Sequence, residues 1–225
     1  MQDDTDLFTT IRARLFTAAI GDVMDAGGLI RQFLPPEIRA LDPDTVLVGR
    51  AMPVLEADCA EERIASTGES HSFGLMFRAL DELRAGEVYL CTGGSPRYAL
   101  WGGLMSTRAQ ALGAAGAVLD GFHRDTREIR AMGFPLFSTG AYAQDQRLRG
   151  RVIDFRCPIE FANGCRVTPG DVIVGDIDGV LAIPRAVAAD IVRAATAKAG
   201  GEEAVRQMIL RGENTAAVFD KTGIM

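Results

Sequence analysis

The sequence predicts an α/β fold with one β-rich layer. Three observations carry that expectation: a strand, glycine-rich loop, helix and strand in succession through the middle of the chain; short apolar runs parted by turn dipeptides from Val152 to Ile183; and helical spacing at both ends. Strand–helix–strand is a βαβ unit, which sets neighbouring strands parallel through a right-handed crossover.

Residues 5–26 carry Leu7, Phe8, Ile11, Leu15 and Phe16 at steps of three and four, the helical period. Gly27-Gly28 stops that pattern, and Pro35-Pro36 marks a loop. Val46-Leu47-Val48 and Ala51 to Leu55 read as strand material around Gly49, a bend or bulge. Residues 61–70 are polar and read as surface, and His71 to Leu83 reads as a helix with one apolar face. Beyond a turn at 84–87, Val88 to Cys91 is a short buried strand. Thr92-Gly93-Gly94-Ser95-Pro96 and Gly102-Gly103 then lead into a helix from Leu104 to Leu112, and Ala117 to Asp120 is the next strand. A short helix from Thr126 to Met132 and a strand from Phe134 to Phe137 follow, with 144–151 as a surface connection.

From Val152 onward, Asn163-Gly164, Pro169-Gly170 and Asp178-Gly179 punctuate short strands, because glycine accepts positive φ and proline presets it. Pro184 to Arg211 is a long helical segment, open to a break at Gly200-Gly201, and 212–225 forms a tail. No linker divides the chain, so residues 1–225 read as one domain.

Composition narrows the function classes. The chain has 225 residues, 48% hydrophobic and 24% charged, as in an ordinary soluble globular protein. A net charge of −6 argues against a general nucleic-acid binder, but a local basic pocket could still hold a small anion. No apolar run is long enough for a membrane span, and the acidic N-terminus is unlike a signal peptide, so a cytoplasmic location is expected. Cys59, Cys91, Cys157 and Cys165 match no zinc or redox spacing, and two histidines do not suffice for a multi-histidine metal site. His123-Arg124-Asp125 opens like a kinase catalytic loop, but no asparagine follows at the required distance. Asp176-Ile177-Asp178-Gly179 superficially resembles a calcium loop; its apolar neighbours make it a hairpin turn. Neither nucleotide-binding glycine fingerprint is present. Asp22 and Asp25 can share a helix face as solvated or capping acids.

The stretch Trp101 to Glu128 organises the functional reading. A glycine pair before a helix is either a plain turn or a set of exposed N–H groups that can hold an anion. Arg124, Asp125 and Glu128 are either a solvated helix start or a site, and three-residue spacing puts the two carboxylates on one side of a helix. Two carboxylates completed by water suit Mg2+, and an adjacent guanidinium suits a carboxylate or an enolate.

These residues resemble the RraA-like family, which contains the regulators of ribonuclease E activity and the metal-dependent 4-hydroxy-4-methyl-2-oxoglutarate/4-carboxy-4-hydroxy-2-oxoadipate aldolases. The resemblance includes TAAIGDVMDAGGL at 17–29, VGRAMPV at 48–54, WGGLMSTRAQALGAAGAVLDGFHRD at 101–125, GFPLF at 133–137 and VTPGDVIVGDIDGVLAIP at 167–184. Its most specific part is Gly103, twenty residues, Arg124-Asp125, two residues, then Glu128. It implies a three-layer swivelling β/β/α domain with a C-terminal helix, assembled as a homotrimer or a hexamer with sites near subunit boundaries. It implies Asp125 as direct ligand of Mg2+ or Mn2+, with Glu128 acting on the metal through water. Main-chain N–H groups of Gly102, Gly103, Leu104 and Met105 would hold the carboxylate of a 2-oxo acid, and Arg124 would stabilise the enolate. The implied activity is a class II pyruvate aldolase that cleaves 4-hydroxy-2-oxo acids or decarboxylates oxaloacetate, with water at the metal as proton source. The alternative is a non-catalytic regulator that binds a ribonuclease or another protein; the acid pair Asp125 and Glu128 separates the two. Some aldolases of the family have an aspartate where this chain has Gly103, which leaves the proton-transfer group open. Glu202 or Glu203 of a neighbouring subunit could complete the site. A methyltransferase reading has no adenosine-cofactor motif behind it.

Overall fold

The computed structural model describes residues 4–59 and 73–224. Its scaffold is a mixed sheet. β1 (Arg39–Ala40), β7 (Leu136–Ser138), β5 (Gly116–Leu119), β3 (Glu87–Thr92), β2 (Leu47–Asp58), β12 (Val172–Asp176) and β13 (Gly179–Ile183) lie side by side in that order. The β2–β3, β3–β5 and β5–β7 pairs are parallel, as the βαβ reading requires. β9 (Gly150–Phe155) pairs with the far half of β2. A small second sheet joins β4 (Ala99–Trp101), β6 (Phe122–His123) and β8 (Gly140–Ala141), while β10 (Ile159–Glu160) and β11 (Arg166–Val167) form a hairpin.

Alternation along the strands sorts side chains into separate cores. Tyr89 and Cys91 face α3 (Met76–Asp81), α4 (Gly103–Ala111) and α5 (Thr126–Met132), where Met76, Leu80, Ala109 and Ile129 are buried. Val88 and Leu90 face the other way, towards Phe161 and Val167 beside the β10–β11 hairpin. A third core packs α1 (Asp4–Arg14), α2 (Thr17–Ala26) and α6 (Ala188–Leu210) against Val48, Val174 and Leu181. The result is the expected three-layer β/β/α arrangement with its C-terminal helix. No helix among the described residues is long and apolar enough to cross a membrane.

Several boundaries differ from expectation, each for a tertiary reason. The single helix expected over 5–26 is two, because the chain turns extended at Phe16 (φ −137°, ψ 162°). Asp176, at the end of β12, caps the second helix: it accepts from the Thr17 N–H and the Thr17 hydroxyl, both at 2.7 Å. The strand pieces around Gly49 are one continuous strand, and the irregularity lies between Leu55 and Glu56. Gly49 is a close approach rather than a bulge, since a Cβ there would lie 2.6 Å from the Gly86 carbonyl oxygen.

α6 runs unbroken through Gly200-Gly201. Each glycine costs a helix about 1 kcal/mol relative to alanine. Here a Cβ on Gly201 would meet Ile224 at 2.6 Å, so the small residue admits the C-terminal segment. That segment, expected as a tail, contains α7 (Thr215–Thr222), capped by the Asn214 side chain. The helix expected over 71–83 is realised as Met76–Asp81; residues 71–72 and the polar stretch 61–70 lie outside the described residues.

Candidate active site

The site forms where β4 and β6, parallel neighbours, both end. The Arg124 N–H donates to the Trp101 carbonyl at 2.9 Å, which sets Gly102-Gly103 beside Arg124-Asp125 although twenty residues separate them. Trp101 is buried, stacks on Phe134 at 6.0 Å and donates from its indole N–H to the Ser106 Oγ at 2.7 Å. This ties the end of β4 to the first turn of α4 and makes the junction rigid.

The first turn of α4 presents N–H groups without intrahelical acceptors. Asp125 takes one of them: its Oδ2 accepts from the Gly103 N–H at 2.9 Å. Asp125 is also the N-cap position of α5, yet its side chain makes no capping bond there; it caps α4 instead. To do so it adopts a left-handed backbone, φ 59° and ψ 33°. That conformation costs a non-glycine residue roughly 1–2 kcal/mol. A hydrogen bond to a charged group returns about 1.5–3 kcal/mol, enough to hold it.

The glycines are required by the two acids. A Cβ on Gly102 would lie 2.7 Å from the Asp125 Oδ2, and one on Gly103 would lie 2.3 Å from the Glu128 Oε2. Asp125 and Glu128 therefore converge on the same two residues of backbone, as their spacing suggests. The Glu128 carboxylate fills the space that a side chain at 103 would enter. Arg124 stands alongside, its guanidinium 3.8 Å from Asp125 and 3.5 Å from Asp145. His123 is buried between the Ser138 Oγ at 2.7 Å and the Thr126 Oγ1 at 3.1 Å, anchoring the start of α5. Burial lowers its pKa, with the Gly140 backbone opposing, so it serves as a neutral strut.

Residues 17–182 match the family model described as RraA-like, Aldolase/RraA. The chain belongs to the RraA-like family. It is 30% identical over 218 residues, 96% of this chain and 94% of the other, to a Halalkalibacterium halodurans protein provisionally named a 4-hydroxy-4-methyl-2-oxoglutarate aldolase. It resembles the structure of an uncharacterised protein from Pseudomonas syringae pv. tomato (TM-score 0.79, 25% identity, covering 95% of this chain and 96% of that one). It shares the fold of RraAS2 from Streptomyces coelicolor, described as an unusual member of an RNase ES inhibitor family (TM-score 0.77, 24% identity, covering 92% and 98%).

The RraA-like junction opens onto a cavity of about 240 Å3 lined by Gly102, Leu104, Met105, Arg124 and Asp125. Other lining residues were not expected at the site: Phe73, Met76 and Phe77, read as an apolar helix face, with Leu100, Asp145 and Gln146. Residues 144–151 read as a surface connection, yet Gln146 is buried, because Asp145 bridges to Ala99 and draws the segment against β4. No local signal marks that pairing. Glu202 and Glu203 do not line the cavity of their own chain; Glu202 is paired with Lys198 at 2.5 Å and Glu203 with Arg206 at 3.4 Å.

Among the described residues no group of three or more His, Cys, Asp or Glu side chains gathers as a metal cluster. The two carboxylates over Gly102-Gly103 still fit Mg2+ or Mn2+ in kind, since Mg2+ is commonly held by one or two carboxylates with water and substrate filling its other positions.

Proposed function

We propose that the protein is a divalent-metal-dependent carbon–carbon lyase acting on 2-oxo acids: aldol cleavage of 4-hydroxy-2-oxo acids to pyruvate, decarboxylation of oxaloacetate, or both. The observation that carries this reading is the convergence of Asp125 and Glu128 on the Gly102-Gly103 backbone, with the Arg124 guanidinium beside them. The aldolase name of the Halalkalibacterium halodurans relative supports the same class. The regulator alternative has behind it a likeness in fold to RraAS2, and a pair of convergent carboxylates favours chemistry over plain binding.

Asp125 and Glu128 would hold Mg2+ or Mn2+, which supplies Lewis-acid polarisation of the 2-oxo group. The first-turn N–H groups of Leu104 and Met105 bind the substrate carboxylate; the Gly103 N–H orients Asp125 instead. In cleavage, the 4-hydroxyl gives its proton to a solvent water, and the O–H bonding pair becomes the second bond of the new carbonyl. The C3–C4 bond breaks, its electron pair stays with C3 as pyruvate enolate, and a proton then returns to C3. Arg124 stabilises the enolate oxygen. Decarboxylation of oxaloacetate reaches the same enolate with CO2 as the departing group. Leu104, 84% exposed on the first turn of α4, supports burial against a neighbouring subunit in a trimer or pair of trimers.

The test is pyruvate release from oxaloacetate and from a 4-hydroxy-2-oxo acid, with added Mg2+ or Mn2+ and after chelation. Metal-dependent release is expected; no release from any such acid would sink the lyase reading.

A further inference from the structure

We propose that, among 4-hydroxy-2-oxo acids, the site is built for those whose far end is uncharged and apolar, rather than for those with a second carboxylate there. This rests on the lyase reading above and adds the substrate class. The cavity has two kinds of wall. One is the β4–α4 and β6–α5 junction, with its N–H groups, Arg124 and Asp125. The other comes from α3 and the residues before it: Phe73, Met76 and Phe77, with the two rings packed edge to face at 5.4 Å. Asp145 adds a carboxylate to the lining.

Among the described lining residues Arg124 is the one cation, and it already faces Asp125 and Asp145. The near end of a 2-oxo acid has its partners in the α4 N–H groups and Arg124. A second carboxylate at the far end would have no cation of its own among the described lining residues and would lose water against two aromatic rings and a methionine. Desolvating an unpaired charge is unfavourable. An alkyl group placed there instead removes its own surface and that of the rings from water. The preference runs opposite to the dicarboxylate in the name of the Halalkalibacterium halodurans relative.

The experiment compares two substrates of equal length, racemic 4-hydroxy-2-oxoheptanoate and racemic 4-hydroxy-2-oxoheptanedioate, which differ in having a methyl or a carboxylate at the far end. Pyruvate release by the full chain with Mg2+ should favour the monocarboxylate by about tenfold or more in kcat/KM. The variant Phe77→Lys, which adds a cation at a half-exposed position of the wall, should shift that ratio at least threefold towards the dicarboxylate. Equal or better use of the heptanedioate by the natural chain, or an unchanged ratio in the variant, overturns the inference while leaving the lyase reading intact. No pyruvate from either acid while oxaloacetate still releases it also overturns the inference; no pyruvate from any of the three defeats the lyase reading, and the inference falls with it.

Discussion

Two glycine pairs in this chain press against acidic residues, and only one of them frames the candidate site. Gly93-Gly94 follows β3 and meets Glu56, with Asp58 bonded to the next residue, Ser95; Gly102-Gly103 follows β4 and meets Asp125 and Glu128. In the first, Glu56 is buried and its Oε1 has no partner among the described residues. Burial, with the negative charge of Asp58 second, pushes its pKa up to about 8, so it is mostly a neutral acid at pH 7. Burial also acts to raise Asp58, but bonds from the Ser95 N–H, Arg97 and the Tyr98 hydroxyl outweigh it and hold the carboxyl at about 2. One acid is buried and mostly uncharged and the other is held by three hydrogen bonds, so the two do not present a pair of free carboxylates to a cation. In the second pair both acids lie on exposed residues, and Asp125 stands beside a guanidinium. Glycine next to acid is therefore only a packing solution until solvent access and charge make it chemistry.

That contrast can be broken in four places. Asp125→Ala carries the largest expected effect, a loss of about a thousandfold or more in metal-dependent pyruvate release, with the folded state retained by circular dichroism. Near-normal turnover in that variant would show that the metal is held elsewhere. Gly93→Ala should strike stability instead. Its φ of +105° disfavours a side chain, and the added Cβ would lie 2.3 Å from the Glu56 carbonyl oxygen, an immovable backbone atom. A cost on the order of 2–4 kcal/mol in denaturant unfolding is expected, since strain and overpacking add.

Gly103→Ala has an equally short contact, but with the far end of a flexible glutamate. Glu128 should swing away, lowering kcat about ten- to a hundredfold with little change in melting temperature. If that variant melts early and stays active, the two glycine pairs play the same structural part. The smallest effect is expected from Glu56→Gln. Between pH 4.5 and about 8 Glu56 stays protonated in the fold while the unfolded chain ionises, so stability falls as pH rises through that window. The variant should match the natural chain at pH 4.5 and melt about 4 °C or more higher at pH 8.5 in scanning calorimetry. Parallel melting curves across pH would remove the buried neutral acid from the account.

Much of this was legible from local chemistry. Asp178-Gly179 announces the β12–β13 hairpin, in which Asp176 and Gly179 are paired, because the dipeptide supplies the backbone a tight turn needs. The glycine-rich loop between two apolar runs announces the parallel β3 and β5. The spacing of Arg124, Asp125 and Glu128 after Gly103 carried the candidate site through to the geometry, since residues three apart at a helix start share a side.

The rest depended on partners distant in sequence. Phe16 ends a run of helical spacing because Asp176, 160 residues away, caps the next helix. Gly200-Gly201 looks like a break until the C-terminal segment fills the space beside it. The rest of the cavity lining was invisible in the same way: Phe73, Met76 and Phe77 read as one apolar helix face, and 144–151, with Asp145, as a surface connection. Periodicity states which residues lie on a common face but not what that face meets. So the sequence by itself determined the layers, the turns and the cluster of Arg124, Asp125 and Glu128 at a helix start, all set by neighbours a few residues apart. The tertiary structure alone decided which acids keep access to water and which side chains line the cavity beside them, because burial and charge pairing depend on contacts that no local pattern encodes.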